Sequence, residues 1–277
     1  MSPPDEPSAF ESWPTSHVVE GSAQELPDPV AIEEPLEIEV DGRPLAVTMR
    51  TPGHDVELAA GWLYSEGLVD RCGDLAELRD ASQCGVENRI AVRLRDPGAL
   101  DRSRAARAFP ATAACGICGK TTIESIFAAG LPLLEVGRPQ LPVACLEGLP
   151  ECMRAEQALF AKTGGLHAAA LFELSEAGAE LVLLREDVGR HNAVDKVIGA
   201  RLLADRLPMR DAMLLLSGRA GFEIVQKAAR AGVPIVAAVG APSSLALRTA
   251  ERVGMTLMGF LRRGRFNLYT GPERIAL

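Results

Sequence analysis

The sequence predicts an α/β protein built in two parts, a small α+β unit followed by a larger layered unit with a largely parallel sheet. Three observations carry that reading. At 277 residues and 47% hydrophobic content, the chain can bury a sizeable core and is longer than one average domain. Strict alternation of apolar and polar residues between 36 and 49 marks half-buried strands. After residue 165 the rhythm changes to short apolar runs separated by helical patterns, and strands alternating with helices pair in parallel and collect ligands at their C-terminal ends.

Residues 1–30 are rich in Pro, Ser and Glu and have neither a basic n-region nor an apolar stretch suited to export, so a disordered acidic tail is expected there. The small α+β unit is expected over 31–110 and the α/β unit over 111–277. The net charge of -8 is unevenly spread. Residues 1–42 hold eleven acidic residues and no Lys or Arg, which leaves 26 acidic against 29 basic residues in the rest of the chain. A body near +3 can receive an anionic ligand, while the acidic total argues against non-specific nucleic-acid binding. No run approaches the roughly 18 to 20 apolar residues that span a bilayer. A soluble, cytoplasmic protein follows as the expectation.

In the small unit, Leu36–Val40 and Leu45–Met49 alternate around the turn residues Asp41 and Gly42, which makes a β-hairpin. Thr51 and Pro52 then read as the cap and first residue of a helix ending near Gly67, and Asn88 to Arg95 as another strand. In the large unit, strands are expected at Leu171, Leu181–Leu184, Met213–Leu216, Val233–Val239 and Met255–Leu261. Helices are expected at 190–203, 221–231 and 243–253.

The loops after these strands are unusual. They read Glu186-Asp187-Val188-Gly189-Arg190-His191-Asn192, Ser217-Gly218-Arg219-Ala220-Gly221 and Gly240-Ala241-Pro242-Ser243-Ser244. Each has a plain explanation in caps and turns, with Ser243 an ordinary N-cap. Three together, two of them carrying an Arg, favour an anion site at helix N-termini. Arg262-Arg263-Gly264-Arg265, flanked by Phe260 and Phe266, suits clamping and stacking of a phosphorylated heterocycle, or is simply a solvated basic turn. The standard P-loop and dinucleotide fingerprints are absent. His167 lacks the Glu two residues on, and the downstream Cys pair, that a zinc deaminase needs; position 169 is Ala.

Cys115-Gly116-Ile117-Cys118-Gly119, followed by Lys120 and a helical pattern, is a place for sulfur chemistry. A helix dipole and a nearby cation lower a thiol's pKa there. Six cysteines without an export signal read as reduced thiols. Three roles stay open for the pair: half of a zinc site, which lacks a second C-x-x-C; a dithiol redox pair, which lacks the expected preceding strand; and a carrier of persulfide sulfur on a mobile Gly-rich loop.

From about residue 31 to the C-terminus the chain resembles the formate dehydrogenase accessory sulfurtransferase family, FdhD. The matching stretches are Arg50–Asp55, Cys115–Gly119, Thr163–Ala170, Glu186–Lys196, Ser217–Arg219 and Gly259–Arg265 with Tyr269–Ile275. Gly221 and Val239-Gly240 depart from the usual family pattern. The resemblance implies a cytidine-deaminase-like three-layer domain that has lost its zinc, so no metal is expected. It implies a carrier that takes persulfide sulfur from a cysteine desulfurase on Cys115 and Cys118. The sulfur passes to a molybdenum or tungsten bis(guanine dinucleotide) cofactor, bound as substrate, for formate dehydrogenase. GDP-like fragments would then bind as well. Cofactor binding falls to Phe260, Leu261, Arg262, Arg263, Gly264 and Arg265 with Arg190, His191, Arg219 and His167. The implied protein partners are the desulfurase and formate dehydrogenase, with no nucleic acid or membrane and with homodimerisation left open. Two alternatives from other classes are a dithiol oxidoreductase and a cofactor-binding chaperone that accepts no sulfur.

Overall fold

The computed structural model describes residues 8–81, 88–100 and 130–277. The chain opens with β1 (Phe10–Val19) and β2 (Ser22–Ala31), a hairpin whose turn residues Glu20 and Gly21 both have positive φ. The expected disordered tail is therefore corrected from residue 8 onward. A polar, Pro-rich composition hid a two-residue turn flanked by strands in full register.

β3 (Glu34–Val40) and β4 (Arg43–Arg50) form the expected hairpin. After α1 (Asp55–Ser65) come β5 (Leu75–Asp80) and β6 (Arg89–Leu94), which complete a four-stranded sheet in the order β4-β3-β6-β5. Helix α1 begins three residues later than the sequence suggested. Its N-cap is His54 in the left-handed region, and Thr51 is wholly buried and serves another loop.

The second part runs through β7 (Leu141–Pro142), α2 (Leu149–Glu156), α3 (Ala158–Thr163), β8 (His167–Ser175) and β9 (Gly178–Asp187). It continues with α4 (Arg190–Leu203), β10 (Ala212–Leu216), α5 (Phe222–Arg230), β11 (Ile235–Ala238) and α6 (Ser244–Val253). It closes with β12 (Thr256–Arg262), β13 (Arg265–Thr270) and β14 (Ile275–Ala276). The large sheet has the order β13-β12-β11-β10-β8-β9. Its centre, β10 to β12, is parallel, but β8 joins β10 antiparallel, and β9 and β13 join their neighbours antiparallel. The expected largely parallel sheet is therefore mixed. The hairpin turns at Glu176-Ala177 and Arg263-Gly264 return the chain without a crossover helix.

Apolar residues occupy successive positions on the inner strands, so both faces of the sheet are covered. Ala169, Leu171, Leu214, Leu216, Val236, Ala238 and Leu257 face one core. Their neighbours Ala168, Ala170, Phe172, Met213, Leu215, Ile235, Ala237 and Met258 face the other. The first core is continuous with Leu36, Ile38 and Ile90 of the small sheet, so the two expected units differ in sheet but share one interior. Helices α1 and α4 make the seam at very close range. A Cβ on Gly61 would lie 1.8 Å from the Asp195 carbonyl, and one on Gly199 1.8 Å from that of Glu57. Only glycine permits that crossing.

Candidate functional site at the strand ends

The sheet order dictates what gathers at one end. β10, β11 and β12 run parallel, so the loops after Leu216, Ala238 and Arg262 emerge together. β8 is antiparallel to β10 and begins there at His167, which pairs with Asp187 where β9 ends. Main-chain hydrogen bonds stitch these loops across the end of the sheet. Ser217 N donates to Ala168 O (3.0 Å), Gly240 N to Gly218 O (2.9 Å) and Phe260 N to Gly240 O (3.0 Å). The Ser217 hydroxyl accepts from Ala168 N (2.8 Å). A Cβ on Gly218 would come within 3.1 Å of His167 Nδ1, so the glycine makes room for that imidazole.

The loop from Asp187 to Asn192 is held by a buried polar network. Lys196 Nζ lies 2.7 Å from Asp187 Oδ2 and also donates to the carbonyls of Thr51 (3.0 Å) and Glu186 (3.3 Å). Asp187 Oδ1 accepts from Gly189 N (2.8 Å) and Asn192 Nδ2 (2.9 Å), while Thr51 Oγ1 accepts from Val188 N (3.2 Å). Asn192 Nδ2 also donates to Met49 O, and its Oδ1 accepts from the Thr48 hydroxyl. Asn192 and Lys196 are four apart on α4 and so share a face toward β4 and the turn after it. Arg50, itself buried, braces that turn through Asp55 (2.8 Å) and Glu34 (3.2 Å). A charge buried this deeply persists only when it is paired and hydrogen-bonded, and this one is.

The network presents Arg190 and His191 at the start of α4. His191 Nε2 lies 3.1 Å from Glu223 Oε2. Burial, followed by the charges of Arg190 and Lys227 and by His167, pushes the His191 pKa down to about 4. At neutral pH the imidazole is therefore uncharged, and the contact is an N–H donated to a carboxylate. The His167 pKa is lowered too, first by burial and then by Arg190 and Arg219, with Asp187 opposing. Two neutral histidines thus stand beside the charges of Arg190, Arg219 and Lys227 without adding positive charge of their own. Arg190 Nε is buried and has no hydrogen-bond partner among the described residues.

Of the residues singled out in the sequence, His167, Arg190, His191 and Arg219 come together. The Arg262–Arg265 turn stands further along the same end, with Arg262, Arg263, Gly264 and Arg265 exposed. Arg262 Nη1 donates to Val239 O (2.7 Å) and to Leu261 O, so this guanidinium closes the end of β11. Phe260 is 44% exposed and held at a φ of 55°, an uncommon conformation for an aromatic residue. Leu261 is 1% exposed, its side chain belongs to the second core and its carbonyl is taken by Arg262, so it offers no side chain to a ligand. Phe266 packs against that core as well. Cys115 and Cys118 lie outside the described residues. Among the described residues, no three His, Cys, Asp or Glu side chains cluster as a metal would require, and no helix is long and apolar enough to cross a membrane.

Sequence reasoning gave no working role to Lys196 or Glu223 and read Thr51 only as a helix cap. The spacing of Asn192 and Lys196 on one helical face was the available signal, since two polar residues there oppose the apolar stripe of Val194, Val197 and Ile198.

Fold and site together define a mixed α/β protein with arginines gathered at one end of its large sheet. The chain belongs to the FdhD/NarQ family, which matches residues 31–276. It is 45% identical over 264 residues to the sulfur carrier protein FdhD of Streptomyces coelicolor, covering 93% of each chain. It is 44% identical over 264 residues to that of Mycobacterium tuberculosis, covering 90% of this chain and 92% of the other. A solved structure from Desulfotalea psychrophila, described as a formate dehydrogenase accessory protein, superimposes with a TM-score of 0.74 at 28% identity. It covers 97% of this chain and 100% of that one.

Proposed function

We propose that this chain is a sulfur carrier that loads persulfide sulfur on Cys115, assisted by Cys118. It delivers that sulfur to a molybdenum or tungsten bis(guanine dinucleotide) cofactor destined for formate dehydrogenase. The observation that carries the reading is the convergence of Arg190, Arg219 and the Arg262–Arg265 turn at one end of the sheet. It is supported by the names of the curated relatives and by the C-x-x-C pair in the sequence. The descent of the large unit from a deaminase-like fold rests on the family resemblance and is supported by the alanine at position 169.

The chemistry balances in three steps. The Cys115 thiolate attacks the terminal sulfur of a cysteine desulfurase persulfide; the donor's S–S bond breaks, and the donor leaves as a thiolate. The Cys118 thiolate then attacks Cys115 Sγ, which expels the outer sulfur as hydrosulfide toward the substrate cofactor and closes a Cys115–Cys118 disulfide. A dithiol reductant restores both thiols with two electrons. The arginines hold the pyrophosphate groups through charge-assisted hydrogen bonds. His191, held neutral, adds no charge to the site.

Incubation with cysteine desulfurase and labelled cysteine, followed by intact mass measurement, tests this reading. One added sulfur atom is expected on the wild type and none on Cys115→Ala, which should also fail to activate formate dehydrogenase. A Cys118→Ala variant that traps no persulfide on Cys115, with a wild type that forms the Cys115–Cys118 disulfide without any sulfur donor, would make it a dithiol oxidoreductase. A wild type that binds GDP but takes no sulfur would make it a cofactor chaperone. Elemental analysis should find no stoichiometric zinc.

A further inference from the structure

Several segments converge on His167. It opens β8, and its partner in register is Asp187, the last residue of β9. The loop after β10 lies alongside, with Ser217 N donating to Ala168 O and Ala168 N to the Ser217 hydroxyl. A Cβ on Gly218 would stand 3.1 Å from His167 Nδ1 and 3.3 Å from its Cε1, so the ring is seated against the loop that carries Arg219. Arg190 begins α4 three residues after Asp187. The charged groups that bear on the imidazole are therefore Arg190 from α4, Arg219 from the β10–α5 loop and Asp187 from β9, and His191 of α4 is its titratable neighbour.

The two histidines at this end are not equivalent. His191 is tied, because its Nε2 lies 3.1 Å from Glu223 Oε2, and Glu223 shares a face of α5 with Lys227, which pairs with Asp195 (2.7 Å). Its surroundings are set by the protein alone. His167 is partly exposed, and its ring exchanges no hydrogen bond with the described residues. Burial first, and then Arg190 and Arg219, hold this ring below the ordinary histidine pKa, with Asp187 opposing, so it is neutral at pH 7 in the free protein. An anion reverses that balance. Held between the two guanidinium groups, its negative charge cancels the repulsion that keeps the proton off the ring. Histidine's ordinary pKa lies close enough to neutrality for such a change to move its charge. Linkage is reciprocal, so the proton tightens the anion by the same factor as the anion tightens the proton.

We infer that His167 takes up one proton from solvent when a phosphate or pyrophosphate group enters between Arg190 and Arg219, and that the imidazolium so formed becomes the third cation on that group. The inference rests on the reading of the strand end as the anion site of the carrier. It gives the carrier a grip that tightens as the pH falls through neutrality. The test titrates GDP into the full chain by calorimetry at pH 7 in PIPES, HEPES and Tris, whose different ionisation enthalpies report the protons taken up, and repeats this with His167→Gln. The difference between the two proteins cancels the protons of GDP itself. The wild type should take up about half a proton more than the variant, and its binding should strengthen about threefold more between pH 8 and pH 6.5. In the wild type labelled with 15N in its histidine rings, the His167 signals should pass from the neutral to the imidazolium pattern on saturation with GDP, a readout that does not depend on the variant's folding. Equal proton uptake by the two proteins, or a His167 ring still neutral under saturating GDP, overturns the inference and leaves the anion site standing. A wild type that binds no GDP anywhere between pH 6.5 and pH 8 overturns the anion site itself, and the inference with it.

Discussion

Two regions of this molecule invert the usual partition of side chains, and they do so in opposite senses. Around Asp187 and Lys196 the chain buries full charges, 0% and 1% exposed, inside an otherwise apolar seam. On the β1–β2 arm it holds Trp13, Val19, Leu26 and Val30 in solvent. The buried network is saturated with partners from three separate stretches and therefore fixes geometry. The arm, by contrast, leaves these side chains uncovered among the described residues. Departures of either kind tend to mark functional positions, because a core or a solvated surface alone gains nothing from them.

The largest expected effect comes from breaking the saturated region. Lys196→Met should cost about 3 to 5 kcal/mol in urea unfolding, since it strands Asp187 as an uncompensated buried charge. The double variant with Asp187→Asn should recover part of that loss. Additive losses would show the two groups to be independent.

A smaller effect follows from His191. Its pKa is depressed to about 4 in the folded protein, against an ordinary value near 6.5. Between those values the unfolded chain binds more protons than the native state, so stability is highest above pH 6.5 and falls as the pH drops toward 4. The group's full contribution is about 3 kcal/mol. His191→Gln should flatten that part of the curve of stability against pH. A slope that persists unchanged would assign it to other groups.

Calorimetry with GDP probes the strand-end site, where the expected effect is smaller again. Arg263→Ala with Arg265→Ala should weaken binding about tenfold or more, and added salt should weaken it in the wild type. Undetectable binding, or affinity indifferent to both substitutions, would leave the turn as solvated surface.

The smallest stability effect belongs to the arm. Trp13→Ala should change the unfolding free energy by about 0.5 kcal/mol or less, because the side chain is already half in water. A large loss would show instead that the indole packs against the chain itself.

Much of this organisation was legible in the sequence. The hairpin around Asp41-Gly42, the helix at 190–203 and the cap at Ser243 follow from alternation, helical spacing and turn chemistry, which are local properties. The Ser243 hydroxyl does accept from Ala246 N. The arginine loops were visible as motifs for the same reason. Where reading failed, the deciding interaction was distant in sequence. Thr51 looked like a helix cap but is claimed by Val188 and Lys196, more than 130 residues away. Residues 8–31 looked like a solvated tail, because their composition lacks the apolar content of a core strand.

The sequence by itself determined the mixed α/β class, the inner strands and the three longer helices of the larger part, and the residue types suited to holding an anion, since periodicity and side-chain chemistry are written residue by residue. Tertiary structure alone decided the antiparallel flanks of the sheet and the pairing of Asp187 with Lys196. It also decided which end of the sheet His167 shares with Arg190 and Arg219. Strand order, burial and the electrostatic surroundings of a titratable group are sums over parts of the chain far apart in sequence, and those sums exist only once the chain has closed on itself.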